Sequence, residues 1–154
     1  MDEAKKSLIK IFYQELYCGI FLCILEAIAI VFLLVLFIVK FRKLDRKIKM
    51  SIIFVILLLV ALEVWAVLFT VKYVKDLDFV KSEDFIELEG EMLGFAHSWS
   101  DDTDVYYSYP IIKINGTKNT VIIKPEYSVA KTLEIGSQYT FIYLPNTKLA
   151  ELIQ

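Results

Sequence analysis

The chain has 154 residues, 57% of them hydrophobic, and a formal net charge of −2. A single histidine, His97, excludes a multi-histidine metal site within one chain, and the near-neutral balance gives no reason to expect nucleic acid as a partner. No cysteine follows Cys23, so whatever folds after that point does so without a disulfide.

The first element is a polar stretch, EAKKSLIKIFYQEL, that places Leu8, Ile11, Phe12 and Leu16 on neighbouring helical positions. The pattern predicts a helix lying on a membrane surface or a continuation of the span that follows. That span is YCGIFLCILEAIAIVFLLVLFIV, Tyr17 to Val39, and a second, SIIFVILLLVALEVWAVLFTV, runs from Ser51 to Val71. Eighteen or more apolar residues suffice to cross the roughly 30 Å hydrocarbon core of a bilayer. The first run is too long for a signal-peptide core and is followed by no small-x-small cleavage site, so it is expected to be retained.

Between the spans lies KFRKLDRKIKM, residues 40–50, with six basic side chains and one acid in eleven positions. Lys40, Arg42, Lys43, Arg46, Lys47 and Lys49 resist translocation, which predicts a cytoplasmic loop facing anionic lipid and puts both termini outside. Tyr13, Tyr17 and Tyr73 fall where an outer aromatic belt would sit.

Each span carries one acid, Glu26 and Glu63, and a simple hairpin brings both to a similar depth, about 20 Å from the inner boundary. An acid is costly to keep in hydrocarbon and marks a site by default. Gly19, Cys23, Glu26 and Ile30 share one helical stripe with Ala27 at its edge, so Gly19, Cys23 and Ala27 are the expected helix-packing residues. Glu63 shares its face with Ile56, Thr70 and Ala66. Two carboxyls facing each other at low dielectric are expected to share a proton. The pair can join helices, within one chain or between protomers. It can also hold a cation or an amine, or relay protons in an oligomer.

From about Phe79 the composition turns polar and aromatic with a period near two, which predicts two domains. Residues 1–78 comprise the amphipathic segment and a two-helix transmembrane hairpin, with spans 17–39 and 51–71, and residues 79–154 form an extracytoplasmic β domain. Expected strands are FIELEGEMLGFA, interrupted at Gly90 and Gly94, then VYYSYPIIKI and TKNTVIIK around an Asn115-Gly116 hairpin, and QYTFIYL. PEYSVAKTLEIG suggests a helical turn and KLAELIQ a short closing helix. The sum is a small antiparallel barrel or sandwich.

Gly90-x-Met92, then YYSYP at 106–110, Gly116, and IGSQYTFIYLPN at 135–146 resemble a widespread prokaryotic family of small membrane-associated β domains of unknown function. Its members read Gly-x-Val, Tyr-x-Tyr-Pro, Gly, then Ile-Gly-x-x-Val-x-Val-x-Tyr-x-Pro. The resemblance covers about the last 65 residues and none of the helices. It implies an outer β module tethered to a membrane, with no catalytic residue to carry over.

His97 beside Ser98, Ser100 and Asp101 does not amount to a triad, because adjacency in sequence does not give triad geometry. Asp101, Asp102 and Asp104 lack the glycine and distant glutamate of a Ca²⁺ loop, and no phosphate-binding motif is present. Neither enzymatic activity nor a metal or cofactor is expected. Trp99 and Tyr106 are the aromatic candidates for contact with a protein partner. The expected function is a non-enzymatic membrane protein whose outer domain binds another protein, as an accessory subunit of an envelope complex or an immunity-type protector. The alternative is a homo-oligomeric proton- or cation-linked conduit built on Glu26 and Glu63.

Overall fold

A computed structural model describes residues 2–40, 45–98 and 107–153. The element order is α1 (Asp2–Lys40), α2 (Arg46–Ser82), β1 (Ile86–Ser98), β2 (Tyr107–Ile114), β3 (Thr120–Ile122), α3 (Tyr127–Ala130), β4 (Gln138–Tyr143) and β5 (Ala150–Leu152). The chain divides into two compact units, Gln14–Val74 and Met1–Tyr13 with Lys75–Gln154. The first thirteen residues thus group with the sheet, although they belong to the same helix as the first apolar run.

The unit Gln14–Val74 is a helical hairpin. α1 is a single helix of 39 residues, about 58 Å at 1.5 Å per residue, so the amphipathic segment continues the span. Along α1 the shielded positions include Gly19, Cys23, Glu26, Ile30, Leu33 and Phe37, and along α2 they include Ile56, Leu59, Glu63, Ala66, Thr70 and Tyr73. Both series step by three and four, the spacing of a coiled-coil seam. Tyr17, Phe21, Ile28, Phe32, Ile38, Phe54, Leu57, Trp65 and Leu68 are among the large apolar residues left more than half exposed. A core helix of a soluble protein would bury such residues. Two helices that each hold an 18-residue stretch of mean hydropathy 3.2 and 3.0, and leave their apolar sides open, are instead long and apolar enough to cross a membrane.

In the other unit the strands form one antiparallel sheet in the order β3-β2-β1-β4-β5. β1 shows why: in IELEGEM, Leu88, Gly90 and Met92 are buried, while Glu87 and Glu89 are exposed and Glu91 is half-buried, a period of two with one wet face. Glu91 stands opposite Lys113 across the ladder, an opposite-charge pair. A Cβ on Gly90 would lie 2.3 Å from the Lys113 carbonyl oxygen, so β2 approaches β1 as closely as it does only because that position is glycine. The ladder does not stop at Gly94; its register shifts between Met92 and Gly94, a bulge that lets β1 continue to Ser98.

Leu88, Met92, Ile112, Ile123, Leu133, Phe141, Tyr143 and Ala150 make the core on one face of the sheet. Alternate residues Ile142 and Leu144 are buried on the opposite face. Beyond the two sheet edges a single parallel bridge pairs Lys124 with Leu149.

Two local expectations need correction. KLAELIQ is not a helix: Ala150–Leu152 pair with β4, Phe141 opposite Leu152 and Tyr143 opposite Ala150. The Lys148 backbone is left-handed at φ 63° and turns the chain back, so tertiary pairing overrides the helix propensity of Leu, Ala and Glu. The Asn115-Gly116 hairpin is also looser than a two-residue turn. Five residues separate β2 from β3, and of the two turn residues only Gly116 takes positive φ, at 72°, with Thr117 N–H donating to the Ile114 carbonyl at 3.2 Å. That is the geometry of a type II turn, which needs glycine at its third position only.

Candidate functional site

Close approach of the hairpin helices rests on Gly19 and Thr70. A Cβ on Gly19 would lie 2.6 Å from Thr70 Oγ1, and Cys23 Sγ lies 3.8 Å from the same hydroxyl. Thr70 is held in place by donating to the Ala66 carbonyl at 2.9 Å. Tyr73 closes the series by donating its hydroxyl to the Glu15 carboxylate. Trp65, Phe69 and Tyr73 stack along α2, with ring centroids 5.9 and 5.1 Å apart.

Glu26 follows Cys23 by one turn, and Glu63 precedes Thr70 by two. With Gly19 and Cys23 both against Thr70 in antiparallel helices, the two acids fall within about one helical turn of the same depth. The Oε2 atom of each is buried and has no hydrogen-bond partner among the described residues. A buried carboxyl oxygen without a donor is a place where a proton, a cation or a donor from another helix would be stabilised. Ala27 is exposed, outside the seam, whereas Gly19 is buried and Cys23 half-buried.

Among the topology residues Lys40, Arg46 and Lys47 are exposed and Lys49 is half-buried, whereas Arg42 and Lys43 lie outside the described residues. Trp99 and Tyr106 also lie outside them.

One charged residue that sequence reasoning passed over stands out in the sheet-bearing unit. Asp76 on α2 is completely buried. Its carboxylate accepts from the Asn146 side-chain amide at 2.7 Å, the Thr147 backbone N–H at 2.7 Å and the Thr147 hydroxyl at 2.8 Å, with the Asn146 N–H at 3.2 Å. The turn between β4 and β5 is therefore built around an acid from a helix. A sequence signal did exist, since Tyr73, Asp76 and Val80 continue the three-four spacing of Glu63, Ala66 and Thr70. Burial, and secondarily the charge of Asp76, holds the Tyr143 phenol above its ordinary value.

On the same unit Leu93 and Ile135 are 45% and 66% exposed. Their chain neighbours are hydrogen-bonded: Gly136 N–H donates to the Met92 carbonyl at 2.8 Å and Met92 N–H to the Ser137 carbonyl at 3.0 Å. This leaves two large aliphatic side chains open at the bulge of β1.

These features define a class: a hairpin of two helices long and apolar enough to cross a membrane, followed in the chain by a five-stranded antiparallel sheet. No family model, curated protein or solved structure matches the chain.

Proposed function

We propose that the protein is a non-enzymatic integral membrane protein, with its basic loop cytoplasmic and both termini outside, whose β module binds another protein as an accessory or protective subunit. The observation that supports this reading is the exposure of Leu93 and Ile135, whose chain neighbours Met92 and Gly136 are hydrogen-bonded, since large apolar side chains left open on a small domain mark an interaction surface. The likeness of the last 65 residues to tethered β modules agrees with it.

Native mass spectrometry of the protein extracted in mild detergent from its own cells tests the proposal. A stoichiometric foreign protein, lost on Leu93→Glu or Ile135→Glu and kept when the spans are exchanged for an unrelated hairpin, is expected. Loss of that protein on exchanging the spans alone would move the binding surface to the helices.

The buried, unpartnered Oε2 atoms of Glu26 and Glu63 favour a second reading, a homo-oligomeric conduit for protons or cations. Two helices cannot enclose a path, so copies must assemble. Ion flux in proteoliposomes that Glu26→Gln and Glu63→Gln abolish would support it, and unchanged flux in both variants would overturn it.

A further inference from the structure

At the loop end of the hairpin a groove of about 280 Å³ opens between α1 and α2, lined by Leu33, Lys47, Ile48, Ser51, Ile52 and Val55. Four of the six lining residues are aliphatic, and Ile48 and Val55 are 46% and 42% exposed. On α2 the lining runs from residue 47 to residue 55, about 12 Å of helix, which matches a stretch of a single acyl chain. Lys47 stands at the loop end of this apolar floor, and Ser51 folds its hydroxyl back onto the Lys47 carbonyl at 3.2 Å.

A second observation bears on the same end. The first turn of α2 contains no acid, yet Arg46 and Lys47 both stand there, exposed. A helix N-terminus already carries about half a positive charge, so cations at that end are unfavourable unless an anion faces them. Asp45, whose backbone carbonyl accepts from Lys49 N–H at 3.0 Å, is the single acid of the 40–50 loop, against six bases.

An aliphatic slot leading to an excess of cations at a helix start has the chemistry of one ligand class. We propose that the groove holds one anionic phospholipid, with an acyl chain along Leu33, Ile48, Ile52 and Val55 and its phosphate at Lys47. Among the described residues no aromatic ring lines it for a nucleotide base to stack on, and the groove is too short for a partner helix. The proposal rests on the hairpin lying in a membrane with this loop at the lipid–water boundary.

The test is native mass spectrometry of the delipidated full-length protein in neutral detergent, titrated with phosphatidylglycerol or with phosphatidylcholine of the same chains. One phosphatidylglycerol is expected to be retained about fivefold better, the factor that one basic residue near an anionic headgroup supplies. Lys47→Gln removes that preference, Val55→Trp lowers retention of both lipids by filling the slot, and Lys72→Gln, at the far end of the second span, changes nothing. Equal retention of the two lipids, or an equal loss on Lys72→Gln, overturns the site. Insertion of each variant into liposomes, read by resistance to alkaline extraction, separates the two failures. A chain that inserts but does not discriminate lipids removes this proposal alone, and a chain that does not insert removes the membrane reading as well.

Discussion

Asp76 accepts two hydrogen bonds from the single residue Thr147, one from its backbone N–H at 2.7 Å and one from its hydroxyl at 2.8 Å. The residues are 71 apart in sequence, one on a helix and one in a strand-to-strand turn. No local propensity of Pro145-Asn146-Thr147-Lys148 would hold the turn in this form alone.

Asp76→Ala is therefore expected to leave the Asn146 and Thr147 N–H groups without an acceptor and to cost on the order of 3–5 kcal/mol, since hydrogen bonds to a charged group contribute more than neutral ones. Thr147→Val removes only the hydroxyl bond and is expected to cost about 1–2 kcal/mol. Hydrogen exchange of the Leu144 and Leu149 amides in detergent reads the effect locally; unchanged protection in Asp76→Ala would show that the turn does not depend on the carboxylate.

Two glycines make a graded pair. On Gly90 the clash of an added Cβ is with backbone, the Lys113 carbonyl at 2.3 Å, which cannot rotate away. On Gly19 it is with the Thr70 hydroxyl at 2.6 Å, a side chain. Gly90→Ala is expected to disrupt the β1–β2 ladder, at more than about 3 kcal/mol. Gly19→Ala is expected to cost about 1–2 kcal/mol and to be relieved in the Gly19→Ala/Thr70→Ala double variant. Thermal unfolding of the wild type, these three variants and the Thr70→Ala single variant checks both, and additive losses in the double variant would contradict the packing assigned to the seam.

Glu151 gives the sheet a pH-dependent contribution to stability. Burial first, then the charge of Glu126, pushes its carboxyl above the usual 4.5, while a hydrogen bond with Ser7 pulls the other way. Because the folded chain binds this proton more tightly than the unfolded one, the associated stability is full below about pH 4.5 and is lost as pH rises through the elevated folded value. Glu151→Gln should accordingly be more stable than the wild type at neutral pH, and the difference should shrink on acidification. A difference that grows as the pH falls would reverse the sign and refute the assignment.

The seam acids give a prediction opposite to that for Asp76. The Oε2 atoms of Glu26 and Glu63 have no partner to lose, so Glu26→Gln and Glu63→Gln are expected to leave the hairpin within about 1 kcal/mol of the wild type or to stabilise it. A drop of several kcal/mol in either variant would reveal a bond at these oxygens.

Much of this architecture was legible in the chain because it is written in local periodicity. The apolar runs, the three-four stripe through Gly19, Cys23 and Glu26, and the in-out alternation of IELEGEM all appear as helix and strand. What was not legible depends on distant partners. KLAELIQ has helical composition and becomes a strand because β4 offers it a free edge. Asp76 sits among Lys75 and Asp78 like an ordinary helix-end charge, and only the turn 70 residues later buries it. The first thirteen residues follow the sheet for the same reason: Lys5 donates to the Glu83 carbonyl at 3.4 Å and sits 5.9 Å from the Phe85 ring centroid, contacts no window of sequence contains.

The proposed outer position of the β module and inner position of the lipid groove both depend on the sidedness of the hairpin. It is tested most directly by replacing Cys18 and Cys23 with alanine, placing one cysteine at exposed Lys118 or at exposed Asp45, and labelling intact cells with a membrane-impermeant maleimide. The account predicts that Lys118→Cys is labelled in intact cells and Asp45→Cys only after lysis. The reverse pattern, or labelling of both sites in intact cells, would contradict it.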